Sequence, residues 1–441
     1  MKRANHLREL QILKKIKRIV NKNVISDKEI SLNDYFFFTS WSISFGEWNL
    51  RKILDKKYDL LYSIKSLLKY SLSYSIADLQ NYKLLNKTKK NNRKNLIISY
   101  TNNLKITKNF DDYFSCEIKN SNKTHWFLIN LDYLKNFKKL PKNLTLLSKQ
   151  KNLYYLNLKF YLNIIKFLLL ILFNKKKIKN VQFYEALKFE ITELLKNSNF
   201  SKVYIPYESQ PHQHYIIKII KSFNEKIKII GYLHSSLTPL PTDFFYKRFY
   251  EPDKLLVHGL NQKDILIKHL GWKSGKVKNI NSFRYNVKRK EFFNRKLFLP
   301  FSIKNPTQLI SNLKIFTKVF NIDLNKFKII NHPYMQNSRN HLKFIKKIRK
   351  IKFVNKYSKQ NDKNISIVVG VSAIILEMLE NNIKVIHICS EPIYEKHSNK
   401  IWKNIIVTKL DEGVYIYKIK KMNTLINFGK RNNFKKMYKI Y

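Results

Sequence analysis

Glycine and proline are scarce in this 441-residue chain, at 8 and 10 residues, so no Gly- or Pro-rich linker or short-period repeat divides it, and a glycine placed at a turn carries weight. The two cysteines, Cys116 and Cys389, are far apart and form neither a metal-ligand spacing nor a disulfide framework, which fits a reducing compartment. No uninterrupted apolar run is long enough for a membrane span. The longest stretch, Tyr161 to Phe173, is broken by Asn163 and Lys166 and falls short of the roughly 20 residues a bilayer requires, which leaves a buried or membrane-surface helix. The N-terminal stretch MKRANHLRELQILKKIKRIVNK lacks an apolar core and reads as an amphipathic helix rather than a signal peptide. Acidic residues are few, 30 against 86 Lys and Arg, and arginine is scarce among the cations.

What is present is ample apolar material, 44% hydrophobic and 14% aromatic, enough for two or three domains with real cores. The formal charge of +56 invites three readings: codon bias, an anionic membrane or acidic substrate, and nucleic acid. Lys, Ile, Asn, Tyr and Phe are inflated together, as an AT-rich genome writes them. The shortage of Arg, the usual bidentate reader of phosphates and bases, weakens the nucleic-acid reading.

The pattern is α/β. Early strands are expected at Tyr35–Phe38, opening into a loop with Ser40, Trp41, Ser42, Ser44 and Gly46, then around Ile97 and Phe127; a helical pattern covers Lys151 to Lys179 and continues from Phe183 to Leu195. From Lys202 onward single helices alternate with strands: KVYIPYE, KIKIIGYLH, DKLLVHG and VKNINSF. Such βαβ alternation means a parallel sheet covered on both faces. A polar, basic stretch from Asn286 to Lys296 reads as a linker. The pattern then restarts with KLFLPFSI, FKIINHP, KFVN, ISIVVG and KVIHIC, separated by helices from about Pro306 to Phe320, at RNHLKFIKKIRK and at AIILEMLENN. These signals divide the chain into a unit over 1–287 with a helical insertion near 151–200, a unit over 288–425, and a basic tail over 426–441.

Chemistry-bearing residues fall at strand ends. The strand Ile365–Val369 ends at Gly370, and Ser372 is expected to open a helix with Glu377 about one and a half turns in; the exposed amides and the Ser372 hydroxyl suit a phosphate, and Glu377 an attached ribose. An ordinary N-cap is the bland reading of Ser372. His332, fixed by Pro333, closes another strand of the same sheet, so both open on one crevice. In the first unit Glu208 follows a strand directly and suits a general base, against the bland reading of a helix-start carboxylate. His234, with Ser235 and Ser236, has the same geometry, and it and the early loop after Phe38 are the alternatives for the base. His212, His214 and His234 do not make a metal site, because His-x-His at a helix start does not share one face and no Asp, Glu or Cys set accompanies it.

An acidic residue in a first sheet, His-Pro at a strand end of a second, and Ser at a later strand-to-helix turn resemble the GT-B glycosyltransferases that use CMP-activated sugars: bacterial sialyltransferases, polysialyltransferases and Kdo transferases. The stretch from Lys202 to Cys389 also resembles surface-carbohydrate biosynthesis proteins. The resemblance implies two Rossmann-like domains with parallel sheets facing across a cleft. By motif, His332 and Pro333 would contact the nucleotide, Ser372 with Gly370 and Ala373 its phosphate, and Glu208 would be the base. Here Val371-Ser372-Ala373 replaces a Ser-Ser or Ser-Thr pair, and Glu208-Ser209-Gln210 stands where Gly is common. The implied activity is metal-independent transfer from a nucleotide sugar to a surface polysaccharide or lipid-linked glycan, without a further cofactor. It would take place at the cytoplasmic face of a membrane, held there by the basic surface. A CDP-glycerol or UDP-sugar donor is the alternative within the class, and a non-catalytic nucleic-acid binder the alternative outside it.

Overall fold

The computed structural model describes residues 10–14, 29–31, 72, 79–86, 92–119, 121–134, 140–151, 157–172, 177–179, 182–241, 244–246, 251–285, 290–351 and 365–429. The early Tyr35–Phe38 strand with its loop, the short strand KFVN and residues 430–441 of the tail lie outside them.

The strands, in chain order, are β1 (Glu29–Ser31), β2 (Tyr82–Leu85), β3 (Asn95–Thr101), β4 (Phe110–Asp111), β5 (Cys116–Glu117), β6 (Thr124–Tyr133), β7 (Leu144–Lys149), β8 (Lys177–Lys179), β9 (Lys202–Pro206), β10 (Lys228–Tyr232), β11 (Lys254–Val257), β12 (Val277–Asn279), β13 (Lys296–Phe298), β14 (Lys328–Ile330), β15 (Ile365–Val369), β16 (Lys384–Ile388), β17 (Ile405–Asp411) and β18 (Val414–Ile419). They build two main sheets. The first runs β12-β11-β10-β9-β3-β6-β7-β2 and the second β14-β13-β15-β16-β18-β17. The expected α/β layout of two Rossmann-like units is therefore present, with parallel pairing throughout except where β2 meets β7 and where β18 meets β16 and β17.

The first sheet is covered on both faces, as continuous apolar runs require. Alternate residues part to opposite sides: Leu96, Ile98, Val203 and Ile205 join one core, Ile97, Tyr204, Ile230 and Tyr232 the other. The helix Pro211–Phe223 lays Ile216, Ile217 and Ile220, all fully buried, against the first of these.

Several expectations are corrected. Within the stretch read as a linker, Lys290–Phe293 is a helical turn and Lys296 begins β13, because Phe293 is buried in the core and Lys296 sits 3.7 Å over the Phe292 ring. Of the helical pattern over 151–179, the described residues form the helix Leu158–Leu172. Beyond it Lys177–Lys179 is a strand paired antiparallel with Glu29–Ser31, a partner too distant in sequence for local periodicity to reveal. The β17–β18 hairpin was not anticipated, although apolar alternation on either side of Glu412-Gly413 signals one. Among the described residues, no helix is long and apolar enough to cross a membrane.

After β18 the chain returns to the first unit. Asn261 N donates to Thr424 O at 2.9 Å, Asn427 N to His258 O at 2.6 Å, Ser282 N to Asn427 O at 2.8 Å and Gly429 N to Tyr285 O at 2.8 Å. Gly259 is required there, since a Cβ would lie 2.1 Å from Leu425 O. The segment is anchored at its other side by Glu380. This fully buried carboxylate accepts the amides of Asn423, Thr424 and Leu425 at 2.6–2.7 Å and of Ile426 at 3.3 Å.

Two outcomes follow from this packing. Glu380→Gln removes a charge-assisted acceptor and should cost about 1.5–3 kcal/mol, read as a lower denaturant midpoint; an unchanged midpoint would show that the amide cradle does not need the anion. Stability should also fall on acidification. Burial pushes His125 and His212 down to about 3 and His258 and His387 down to about 4. Below the unfolded value of about 6.5 the unfolded chain takes up protons that these rings refuse, at up to about 1.4 kcal/mol per ring and pH unit. Asp111, raised to about 7 by burial, and Glu395, also raised, act in the opposite direction but are outnumbered. The melting temperature should therefore drop from pH 6.5 towards pH 5, and a rise over that interval would contradict the assignment.

Candidate functional site

Each sheet has one point where the strand order reverses, and there the loops leaving the two central strands diverge and open a crevice. In the first sheet it lies between β3 and β9, in the second between β13 and β15. The sequence-predicted residues fall beside these two points.

In the first unit Glu208 follows β9. The bland helix-start role belongs to other residues: Gln213 accepts the amides of Glu208 and Gln210 at 2.8 and 3.0 Å and donates to Pro206 O at 2.9 Å. The Glu208 carboxylate instead accepts the Ser235 hydroxyl at 2.7 Å, which joins the ends of β9 and β10. Ser209, buried at φ 56, holds the intervening turn in the left-handed region, with its hydroxyl 3.1 Å from His214 Nε2. His212 packs edge-on to Tyr100. Both rings serve this loop and its core.

His234 stands beside Ser235. Its Nδ1 lies 3.1 Å from Tyr113 O; because a carbonyl only accepts, the proton is on Nδ1 and Nε2 carries the lone pair. Tyr113 is fixed in turn by Asp111, which accepts the Ser99 hydroxyl at 2.6 Å and Phe114 N at 2.7 Å. Burial, followed by the charge of Arg284, holds the His234 ring well below the ordinary imidazole range, so it is neutral.

In the second unit His332 is half-buried just beyond β14, its ring edge-on to Phe301 at 5.3 Å. Phe301 follows Pro300, and Pro300 lies against Gly370, where a Cβ would meet its Cγ at 3.2 Å. The loop after β13 therefore brings His332 and the Gly370–Ser372 turn together. Gly370 needs its φ of +63 to make this turn, and His387 Nε2 donates to its carbonyl at 2.7 Å. His341 Nε2 holds Pro300 O at 2.9 Å. Pro333 is exposed and begins a short 3-10 turn.

The expected helix start shifts. Helical residues run from Ile374 to Glu380 with Ala373 as N-cap; Ser372 sits before it, its hydroxyl 3.4 Å from Ile374 N. A helix of seven residues has too few aligned peptides for a substantial dipole. Glu377 lies in its first turn, and its charge reaches Arg284.

Arg284 is the residue the sequence reading missed. Its loop is tied to β10 by Tyr232, whose hydroxyl accepts Phe283 N at 2.9 Å, and Ser282 Oγ accepts the amides of Arg284 and Tyr285 at 3.1 and 2.9 Å. The returning segment brackets it through Asn427 and Gly429. The side chain reaches solvent and its guanidinium lies 5.3 Å from the Tyr285 ring. Its charged form is favoured by Tyr285 first, then by Glu208 of the first unit and Glu377 of the second. After burial, the larger cause, Arg284 adds to the lowering of His234 and His258 in the first unit, and after burial and His341 it adds to that of His332 in the second. One cation thus couples both crevices. The available signal was its rarity, an arginine between two aromatics in a chain whose cations are nearly all lysine.

No protein-family model matches the chain, and no relative is found among curated protein sequences. Among solved structures it is similar to a glycosyltransferase from Rickettsia africae ESF-5 (10% identity, 67% of this chain and 79% of that one, TM-score 0.32). It is similar as well to an O-GlcNAc transferase from Thermobaculum terrenum (10% identity, 81% and 64%, TM-score 0.33) and to a GtfA/B complex bound to UDP and GlcNAc (12% identity, 49% and 49%, TM-score 0.22).

The coupling through Arg284 can be read directly. In Arg284→Gln the imidazole pKa values of His234 and His332, followed by NMR titration, should both rise. If only one of them moves, the two crevices do not share this cation.

Proposed function

We propose that this chain is a glycosyltransferase that moves a sugar from a nucleotide-activated donor, CMP-linked by preference, to a surface polysaccharide or lipid-linked glycan at the inner face of a membrane. The observation that carries the proposal is the pair of switch-point crevices, one lined by a carboxylate and a neutral histidine, the other by His332 and the Gly370–Ser372 turn, with Arg284 acting on both.

The donor phosphate sits in the second crevice, where His332 and the Ser372 hydroxyl hold it from one side and Arg284 from the other. Glu377 takes the ribose in this scheme. An acceptor hydroxyl attacks the anomeric carbon as the bond from that carbon to the phosphate oxygen breaks. The electron pair leaves with the nucleotide, and the hydroxyl proton passes to Glu208, which Ser235 orients. His332 and Arg284 stabilise the charge that develops on the leaving phosphate, a role that in this scheme needs no metal ion. His234, with its lone pair on Nε2, is the alternative base.

A thermal-shift panel of CMP, CDP, UDP and GDP tests the donor, because a ligand bound only by the folded state raises the melting temperature. CMP should give the largest shift. His332→Ala should weaken its binding by about tenfold to a hundredfold, the loss of a charge-assisted hydrogen bond. Glu208→Gln should keep nucleotide binding and lower turnover by about 10²–10⁴. No shift with any nucleotide would defeat the proposal, and a shift with UDP but not CMP would move the donor to a UDP-sugar. Retained turnover in Glu208→Gln together with its loss in His234→Ala would move the base to His234.

A further inference from the structure

The helix Leu158–Leu172 exposes an apolar stripe that the catalytic scheme does not use. Leu158 is 74% exposed, Leu162 and Ile165 each 56% and Leu169 46%. At 3.6 residues per turn these four fall within about 60° of one another on the helix surface. Tyr161, half exposed, lies at the edge of the stripe. The opposite side is the one turned inward: Phe160 and Asn163 are buried. With 15 residues the helix is about 22 Å long, too short to span a bilayer but long enough to lie along one.

The surrounding charge is of one sign. Lys159 and Lys166, both exposed, flank the stripe along a single side. Residues 151–179 carry seven lysines and no acidic residue. A second copy of this chain docking through the same face would set lysine rows against each other with no carboxylate on the segment to balance them. An anionic lipid surface supplies both the apolar layer that the stripe needs and the negative charge that the lysines need.

We infer that the helix Leu158–Leu172 is a membrane-docking element that lies in the plane of an anionic bilayer, with Leu158, Leu162, Ile165 and Leu169 inserted below the headgroups and Lys159 and Lys166 at headgroup level. The inference does not depend on the donor chemistry, and its readout requires no activity.

The test must separate insertion from the general attraction of a +56 chain for anions. Flotation with vesicles of phosphatidylcholine alone, and of phosphatidylcholine mixed with phosphatidylglycerol, is measured at low salt and at about 1 M salt, where the Debye length is about 3 Å. The full chain should bind the mixed vesicles in preference, and a fraction should stay bound at high salt. Leu162→Asp with Ile165→Asp, both at exposed positions, should fold, keep its nucleotide-induced thermal shift, and lose the salt-resistant fraction by about tenfold or more. Complete release of the unmodified chain at high salt would overturn the inference by reducing binding to charge alone. Unchanged salt-resistant binding by the folded double variant would overturn it equally. A dimer in the unmodified chain that becomes a monomer in the double variant would assign the face to a second copy instead.

Discussion

Burying a carboxylate in a protein interior costs several kcal/mol unless its lone pairs are answered. Glu380 is wholly buried and is answered by backbone alone, through four successive amides from Asn423 to Ile426. Converging amides of this kind are a concave anion cradle, and Asn423 at φ 58 supplies the left-handed residue that such a turn uses. Much else depends on this contact. It fixes the chain where it leaves the second sheet, so that residues 424–429 can lie along the first unit and bracket the loop carrying Arg284. Between the Glu380 cradle and Tyr285, the charge that couples the two crevices is held by main-chain hydrogen bonds rather than by a flexible tether.

Buried imidazoles form a second layer of support. His387 donates to Gly370 O and meets the Tyr417 hydroxyl at 2.9 Å, so both ring nitrogens are used and the Gly370 turn is held in place. His341 does the same for Pro300, between His332 and Gly370 in space. On the first side Gln213 closes the loop that presents Glu208. Protonating the His387 ring, which burial holds down at about 4, would place charge where desolvation forbids it, so the rigidity of the Gly370 turn and its acid sensitivity share one cause.

The site keeps its charge at few points. Glu208 and Glu377 lie on opposite units and Arg284 faces both, while His234 and His332 are held towards neutrality.

The sequence by itself determined the strands and helices of the parallel core, because continuous apolar runs such as Val203–Ile205 and Ile367–Val369, separated by helical spacing, have one stable solution: strands buried on both faces. It also placed Glu208, His332 and Gly370 at strand ends, since those positions are set by local chain length and by residues that stop a strand. Local pattern could not show the β1–β8 pair, the return of residues 424–429, or the partner of Glu380, which join segments separated by tens to more than a hundred residues. Nor could it show Arg284, whose meaning lies in which charges surround it. Hydrophobic periodicity reports which side of an element is buried, whereas electrostatic coupling falls with distance in space, and that distance exists only once the two units are folded and stitched together.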